Sequence, residues 1–223
     1  MPRKIGKPKT VKKKKNTVIA YLDAEFLCDR VKRRAQYDLA SVGIVIADAN
    51  GQEMKRYYSL VRPMPGHSVT AQIRALTGLT DEILKDAPHY GTVMHELYML
   101  CDSYGVSAIC TWGNDLSMFM KDYNMRAPKP PVKDEVKKLF SMFCDIQREV
   151  SSKVTMGIDS ALGLKDLKII TGLSGKVSHN ALDDAVDLYN SVRRIEEGQI
   201  AVPGDELAEY KRYLREYKLS RKF

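Results

Sequence analysis

The sequence predicts an α/β domain in which three antiparallel strands, joined by parallel strands, form a mixed sheet flanked by helices. Two observations carry this. Residues 17–26, 39–47 and 53–61 are rich in β-branched and aromatic residues and are separated by polar or glycine-containing turns. Beyond residue 62 the apolar residues shift to helical spacing, broken by one compact strand-like run at 106–112. Strands first, then a strand set among helices, is the pattern of a sheet covered by helices.

The elements follow in order. Asn50-Gly51 marks the tight turn between the second and third strands. Residues 62–88 read as short helical pieces. Over 91–104, Val93, Met94, Leu97, Leu100 and Cys101 recur at helical spacing and predict an amphipathic helix. The run 106–112 suits a buried strand, and 139–146 reads as another, reached after the breakers Pro128, Pro130 and Pro131. Helices are expected over 159–171, 180–196 and 205–219. The last opens after Pro203-Gly204, with Leu207, Tyr210, Leu214 and Tyr217 along one face.

At 223 residues and 44% hydrophobic content the chain can bury a full core. The apolar stretch 18–28 is interrupted by Asp23 and Glu25 and falls short of the ~20 residues that span a bilayer. No membrane association and no secretory leader are expected, and the expected compartment is the cytoplasm. Cys28, Cys101, Cys110 and Cys144 lack zinc-ligand spacing and read as free, mostly buried thiols.

The net charge of +8 is unevenly placed. Arg3, Lys4, Lys7, Lys9 and Lys12 to Lys15 supply eight positive charges without one acid, and the remaining 28 basic residues match the 28 acidic ones. Residues 1–16 are therefore expected to be a disordered basic arm, too polar to bury a core. A tether to phosphates and a solubility or nuclear-import-like tail both fit it. The expected domain spans 17–198, followed by a helical extension over 199–223.

Three acidic segments stand out. In Tyr21-Leu22-Asp23-Ala24-Glu25-Phe26 the pleat projects Asp23 and Glu25 from one face, with Leu22 and Ala24 on the other. Two ionised carboxylates ~5 Å apart at an effective dielectric of ~20 repel by about 3 kcal/mol. A divalent cation removes that penalty, and carboxylate oxygens are the hard ligands Mg²⁺ and Mn²⁺ prefer. A strand end emerging into solvent would serve two exposed acids equally well. Asp115 follows Cys110-Thr111-Trp112-Gly113-Asn114 at a strand-to-helix junction. An acid in the first turn of a helix is also favoured by the dipole alone.

In Ser178-His179-Asn180-Ala181-Leu182-Asp183-Asp184-Ala185, periodicity separates two aspartates. Asp184 shares the inward stripe of Ala181, Ala185, Leu188 and Val192. Asp183 falls on the polar face with Asp187, Asn190 and Arg194, three residues after Asn180 as a capping partner. His179 precedes this helix and is a candidate general base.

These segments resemble the DEDDh, or DnaQ-like, 3′-to-5′ exonuclease superfamily. Its D-x-E motif corresponds to Asp23-Ala24-Glu25, and its H-x-A-x-x-D-A motif to residues 179–185. Its apolar L-T-G-[IL]-T plus acid corresponds to Leu76-Thr77-Gly78-Leu79-Thr80-Asp81. Thr111-Trp112-Gly113 is closer to the exoribonuclease-related, KapD-like branch. Relatives often place one more residue between that glycine and the second-motif aspartate, so Asp115 departs in spacing.

The resemblance spans about residues 17–196 and implies an RNase H-like fold and two-metal hydrolysis of single-stranded RNA or DNA ends to nucleoside 5′-monophosphates. Two Mg²⁺ or Mn²⁺ are implied. Asp23 would bridge them, Glu25 and Asp184 would complete the site of the nucleophilic water, and Asp115 would support the second ion. His179 would take the proton. Ala24, Phe26 and Leu76 are implied as substrate contacts, and a polymerase or other protein partner is compatible with the family. Two alternatives are a non-catalytic nucleic-acid-binding or regulatory module and a phosphodiesterase restricted to short oligonucleotides.

Overall fold

The computed structural model describes residues 17–29, 36–154 and 161–201, with isolated positions 209, 212, 213 and 216 beyond them. The expected arm over 1–16 and most of the helix expected over 205–219 lie outside the described residues.

The first three strands, β1 (Val18–Asp29), β2 (Gln36–Ala47) and β3 (Glu53–Leu60), form an antiparallel meander. The second and third join at the expected turn, where Gly51 takes a left-handed conformation (φ 75°) and donates its N–H to the Asp48 carbonyl. β4 (Val106–Thr111) and β5 (Phe143–Asp145) add in parallel on the other side, giving the order β3-β2-β1-β4-β5. β1 thus lies at the centre, where antiparallel pairing changes to parallel. The mixed five-stranded sheet with its flanking helices has the predicted RNase H-like α/β architecture.

Two short helices, α1 (Ala71–Thr77) and α2 (Asp81–Lys85), follow the meander. The L-T-G-L-T-D string builds both. Gly78 ends α1 in a left-handed cap (φ 72°), the Thr80 hydroxyl caps α2, and Asp81 accepts the Val69 N–H at 2.7 Å.

Helices α3 (Tyr90–Ser103), α4 (Asp115–Arg126) and α5 (Val132–Met142) cover one face of the sheet. There Ala20, Leu22 and Phe26 of β1 meet Val93, Met94, Leu97, Phe119, Val136 and Leu139. On the opposite face Tyr21 packs against Ala185, Leu188, Tyr189 and Val192 of α8 (Ala181–Glu196). α6 (Gln147–Val154) and α7 (Leu164–Ile170) lie between β5 and α8 in the chain. Among the described residues no helix is long and apolar enough to cross a membrane.

The strand expected over 139–146 is corrected. Residues 139–142 finish α5, because Val136 and Leu139 bury one helical face and Phe140 packs edge-on against Phe119 and Phe143. A short apolar run fits either period, and the strand begins only at Phe143. Cys101 and Cys110 are buried, but Cys28 is half-buried and Cys144 exposed, so burial of the thiols is less general than expected.

Candidate active site

β1 pairs with β2 along nearly its whole length but with β4 only as far as Tyr21 opposite Cys110. Asp23 and Glu25 therefore lie just past the end of β4, where the chain leaves the sheet. It turns at Gly113 (φ 96°) and enters α4 at Asp115. Asp145, ending β5, holds that turn by accepting the N–H groups of Gly113 at 3.0 Å and Gln147 at 2.9 Å. Trp112 anchors it from the side, donating Nε1–H to the Leu162 carbonyl at 2.9 Å. Asp115 is thereby carried beside Asp23, whose ionisation it opposes more than any other neighbouring carboxylate does.

α8 reaches the same place from the other side of β1. Gly43 on β2 stands opposite Asp23, and a Cβ there would lie 2.3 Å from the carbonyl carbon and oxygen of Ala181 and from Leu182 Cα. The helix N-terminus rests directly on the strand because residue 43 has no side chain. Asn180 caps the helix, its Oδ1 accepting the N–H of Leu182 at 3.0 Å and of Asp183 at 3.3 Å. Asp184 is only 4% exposed and accepts a hydrogen bond from the Ser178 hydroxyl at 3.4 Å, whereas Asp183 faces solvent. Helical periodicity and structure agree on which aspartate points inward.

His179 adopts a left-handed backbone (φ 52°), a conformation in which histidine is several-fold enriched and which clusters at functional sites. One ligand atom each of Glu25, His179 and Asp184 lie within 4.8 Å of one another. Of the five, Glu25, His179 and Asp184 are brought together, while Asp23 precedes Glu25 on the same face of β1 and Asp115 opens α4, near enough for its charge to bear on Asp23 and Glu25.

The electrostatics are those of carboxylates short of positive charge. Burial, then Asp115, Glu25 and Asp184, pushes Asp23 well above the usual carboxylate range. Burial, then Asp184 and Asp115, pushes Glu25 up to about 8. Asp115 rises to about 7, chiefly by burial against an opposing hydrogen bond from the Trp112 backbone. Burial raises Asp184, while His179 and the Ser178 backbone pull it down. One buried oxygen of Asp115, Oδ2, has no hydrogen-bond partner. Hard oxygen donors, mutual repulsion and an unpaired buried lone pair all fit divalent cations such as Mg²⁺ or Mn²⁺.

A pH-dependent stability follows. With raised pKa values the folded, metal-free protein holds more protons than the unfolded chain between the ordinary carboxylate range and about pH 8, so stability falls as pH rises through that window. Mg²⁺ removes the cause. The melting temperature in chelator is expected to drop from pH 5 to pH 8, and added Mg²⁺ to raise it far more at pH 8 than at pH 5. Equal shifts at both pH values would contradict cation binding by these acids.

The implied substrate contacts divide. Leu76 is 45% exposed on α1 and free to meet a ligand. Phe26 is not: it is 8% exposed and stacks edge-on with Phe119 at 5.3 Å, on the sheet face opposite Asp23 and Glu25. The Ala24 side chain packs on that same core face. Alternation along β1 turns both side chains away from the acids: the Phe26 ring lies in the core, while Ala24 stays half-buried. Gly43 and Asp145 went unnoticed in the sequence. A glycine inside an otherwise apolar strand is the signal that could have found the first.

The five-stranded mixed sheet, with carboxylates at the end of its central strand, has the RNase H-like architecture. The exonuclease family model matches residues 20–191. The chain belongs to that exonuclease family. Among solved structures, it is similar to a 3′-exonuclease described in 3′-end-specific recognition of a histone mRNA stem-loop (TM-score 0.69, 16% identity, 82% of this chain and 65% of that one). It is also similar to the nuclease domain of 3′hExo, a DEDDh family member bound to rAMP (TM-score 0.65, 15% identity, 82% of this chain and 94% of that one). A third is E. coli exonuclease I with a dT13 oligonucleotide (TM-score 0.61, 11% identity, 87% of this chain and 43% of that one). At these identities the likeness is one of fold, and the chain spans less than two thirds of the first and third of these proteins. No curated protein sequence matches it.

Proposed function

We propose that this exonuclease removes nucleoside 5′-monophosphates one at a time from the 3′ end of single-stranded RNA or DNA, assisted by two divalent cations. The observation that carries this reading is the meeting of Asp23, Glu25, Asp115 and Asp184 from three separate elements, with His179 at their edge. The rAMP and dT13 in the ligand-bound neighbours support the substrate class.

The four carboxylates would hold the cations, which when bound acidify a water and stabilise charge on the departing oxygen. His179, against Glu25 and Asp184, accepts the proton of the water that attacks the terminal phosphorus. The bond to the 3′-oxygen of the preceding nucleotide breaks, that oxygen leaves and is protonated, and a nucleoside 5′-monophosphate departs. Leu76 offers an exposed apolar contact to the terminal base. A contact of that kind is tolerant of sequence.

Matched single-stranded RNA and DNA with free and blocked 3′ ends test this in Mg²⁺. Mononucleotides are expected from free 3′ ends and none from blocked ones. Release unaffected by a 3′ block would overturn the polarity, and activity surviving complete chelation would overturn the cation requirement.

The basic arm is assigned the role of a phosphate tether. Each phosphate neutralised on a single strand steepens the log affinity against log salt slope by about 0.7. Deleting residues 1–15, with their eight charges, is expected to flatten that slope by up to ~6. An unchanged slope would return the arm to a solubility role.

A further inference from the structure

We propose that Lys168 is a positioning residue for His179, fastening the connection that presents the imidazole to the attacking water; this rests on the general-base reading of His179 given above. Lys168 stands in the last turn of α7 and is only 4% exposed. The helix dipole favours a lysine there at the surface and asks for no burial. An ammonium taken out of water is costly unless it is both ion-paired and hydrogen-bonded. Lys168 has both kinds of partner: its Nζ forms an ion pair with Asp187 of α8 and donates a hydrogen bond to the Lys176 carbonyl.

Residues 171–180 join α7 to α8 outside helix and strand, and His179 lies near their end. Lys176 comes three residues before His179, and Asp187 three residues after Asp184. One ammonium thus ties the approach to His179 to the helix that carries Asp184. The connection runs close over α7 before it reaches that point. Leu173 donates its N–H to the Lys168 carbonyl at 2.8 Å, and a Cβ at Gly175 would lie 2.8 Å from Ile169 Cγ1.

His179 needs such support. Among the described residues its ring makes no hydrogen bond, so the backbone decides where the imidazole stands. That backbone is left-handed (φ 52°), a conformation that persists only where the surroundings over-determine it. Among the described residues, hydrogen bonds to side chains outside it hold the stretch 174–179 at two points. Lys168 grips the Lys176 carbonyl, and Asp184 accepts the Ser178 hydroxyl at 3.4 Å. The second tie is made by one of the acids themselves. Lys168 supplies the one that is independent of them.

The test uses the full chain carrying Lys168→Met, which keeps the apolar stem, and a 5′-labelled single-stranded oligonucleotide in Mg²⁺. Its companion is the double variant Lys168→Met, Asp187→Leu, since an apolar pair in place of a buried ion pair leaves no charge stranded. Both are expected to lose about tenfold in kcat, part of the roughly 10²–10⁴-fold a general base contributes. KM stays within about twofold for a group acting through orientation alone, and far-ultraviolet circular dichroism stays near that of the wild type. Because Lys168 acts through His179, neither change is expected to slow a His179→Ala protein further. An unchanged kcat overturns the proposal, whatever happens to KM. Further slowing of His179→Ala overturns it too, because Lys168 then acts on the acids. Loss of circular dichroism in both variants makes Lys168 a packing residue and overturns it equally. Full activity in His179→Ala would sink the general-base reading, whereas a slow His179→Ala beside a wild-type Lys168→Met sinks only the role of Lys168.

Discussion

Asp23→Asn is expected to lower kcat by roughly 1000-fold, the scale seen when one electrostatic group is removed from a transition state, while raising the melting temperature of the metal-free protein at pH 8. The two effects share one cause. Asp23 is half-buried and pressed by three other carboxylates, so its charge is a burden to the fold without cations. The amide keeps the shape of the side chain and removes that burden. A gain of 1 kcal/mol corresponds to about 2–4 °C for a protein of this size. The same substitution removes the acid that the other three surround. Mg²⁺, which should stabilise the wild type at pH 8, is expected to stabilise Asp23→Asn much less. Paired melting curves with and without Mg²⁺, beside initial rates of mononucleotide release, check all three expectations. Wild-type release by the variant would remove Asp23 from the reaction altogether.

Much of this site was legible because its chemistry is written in local patterns. The spacing of Asp23 and Glu25 on a strand fixes a common face, and helical periodicity separates Asp184 from Asp183 without reference to any structure. What could not be read depends on contacts between distant segments. Asp115 looked displaced because its placement depends on the left-handed turn at Gly113 and on Asp145, thirty residues away along the chain. Phe26 carried the expectation of a substrate contact, yet the α3 to α5 layer claims its ring. The end of α5 was taken for a strand because four apolar-rich residues are too few to reveal a period. Distribution of charge shows the same division. The arm's positive excess is plain in the sequence, while the deficit of positive charge around Asp23 emerges only when three elements meet.

Gly43→Ala is expected to reduce kcat by about 100-fold or more, the penalty of a displacement near 1 Å in a reacting constellation. The Cβ of alanine would sit 2.3 Å from backbone atoms of Ala181 and Leu182, a separation no rotamer change relieves, since the obstacle is main chain. Either β2 must bend or the α8 N-terminus must lift. β2 is the more constrained, paired on both sides by β1 and β3. The helix end therefore moves, and it carries His179 and Asp184 away from Asp23 and Glu25. Overpacking of this kind costs about 1–3 kcal/mol, so most of the protein should still fold at moderate temperature. Loss of activity by displacement and loss by unfolding are separable. Displacement leaves far-ultraviolet circular dichroism near that of the wild type but weakens the Mg²⁺-induced rise in melting temperature, because Asp184 no longer meets its partners. A Gly43→Ala protein with unchanged kcat and an unchanged response to Mg²⁺ would show that the contact between β2 and α8 does not set the geometry of the acids.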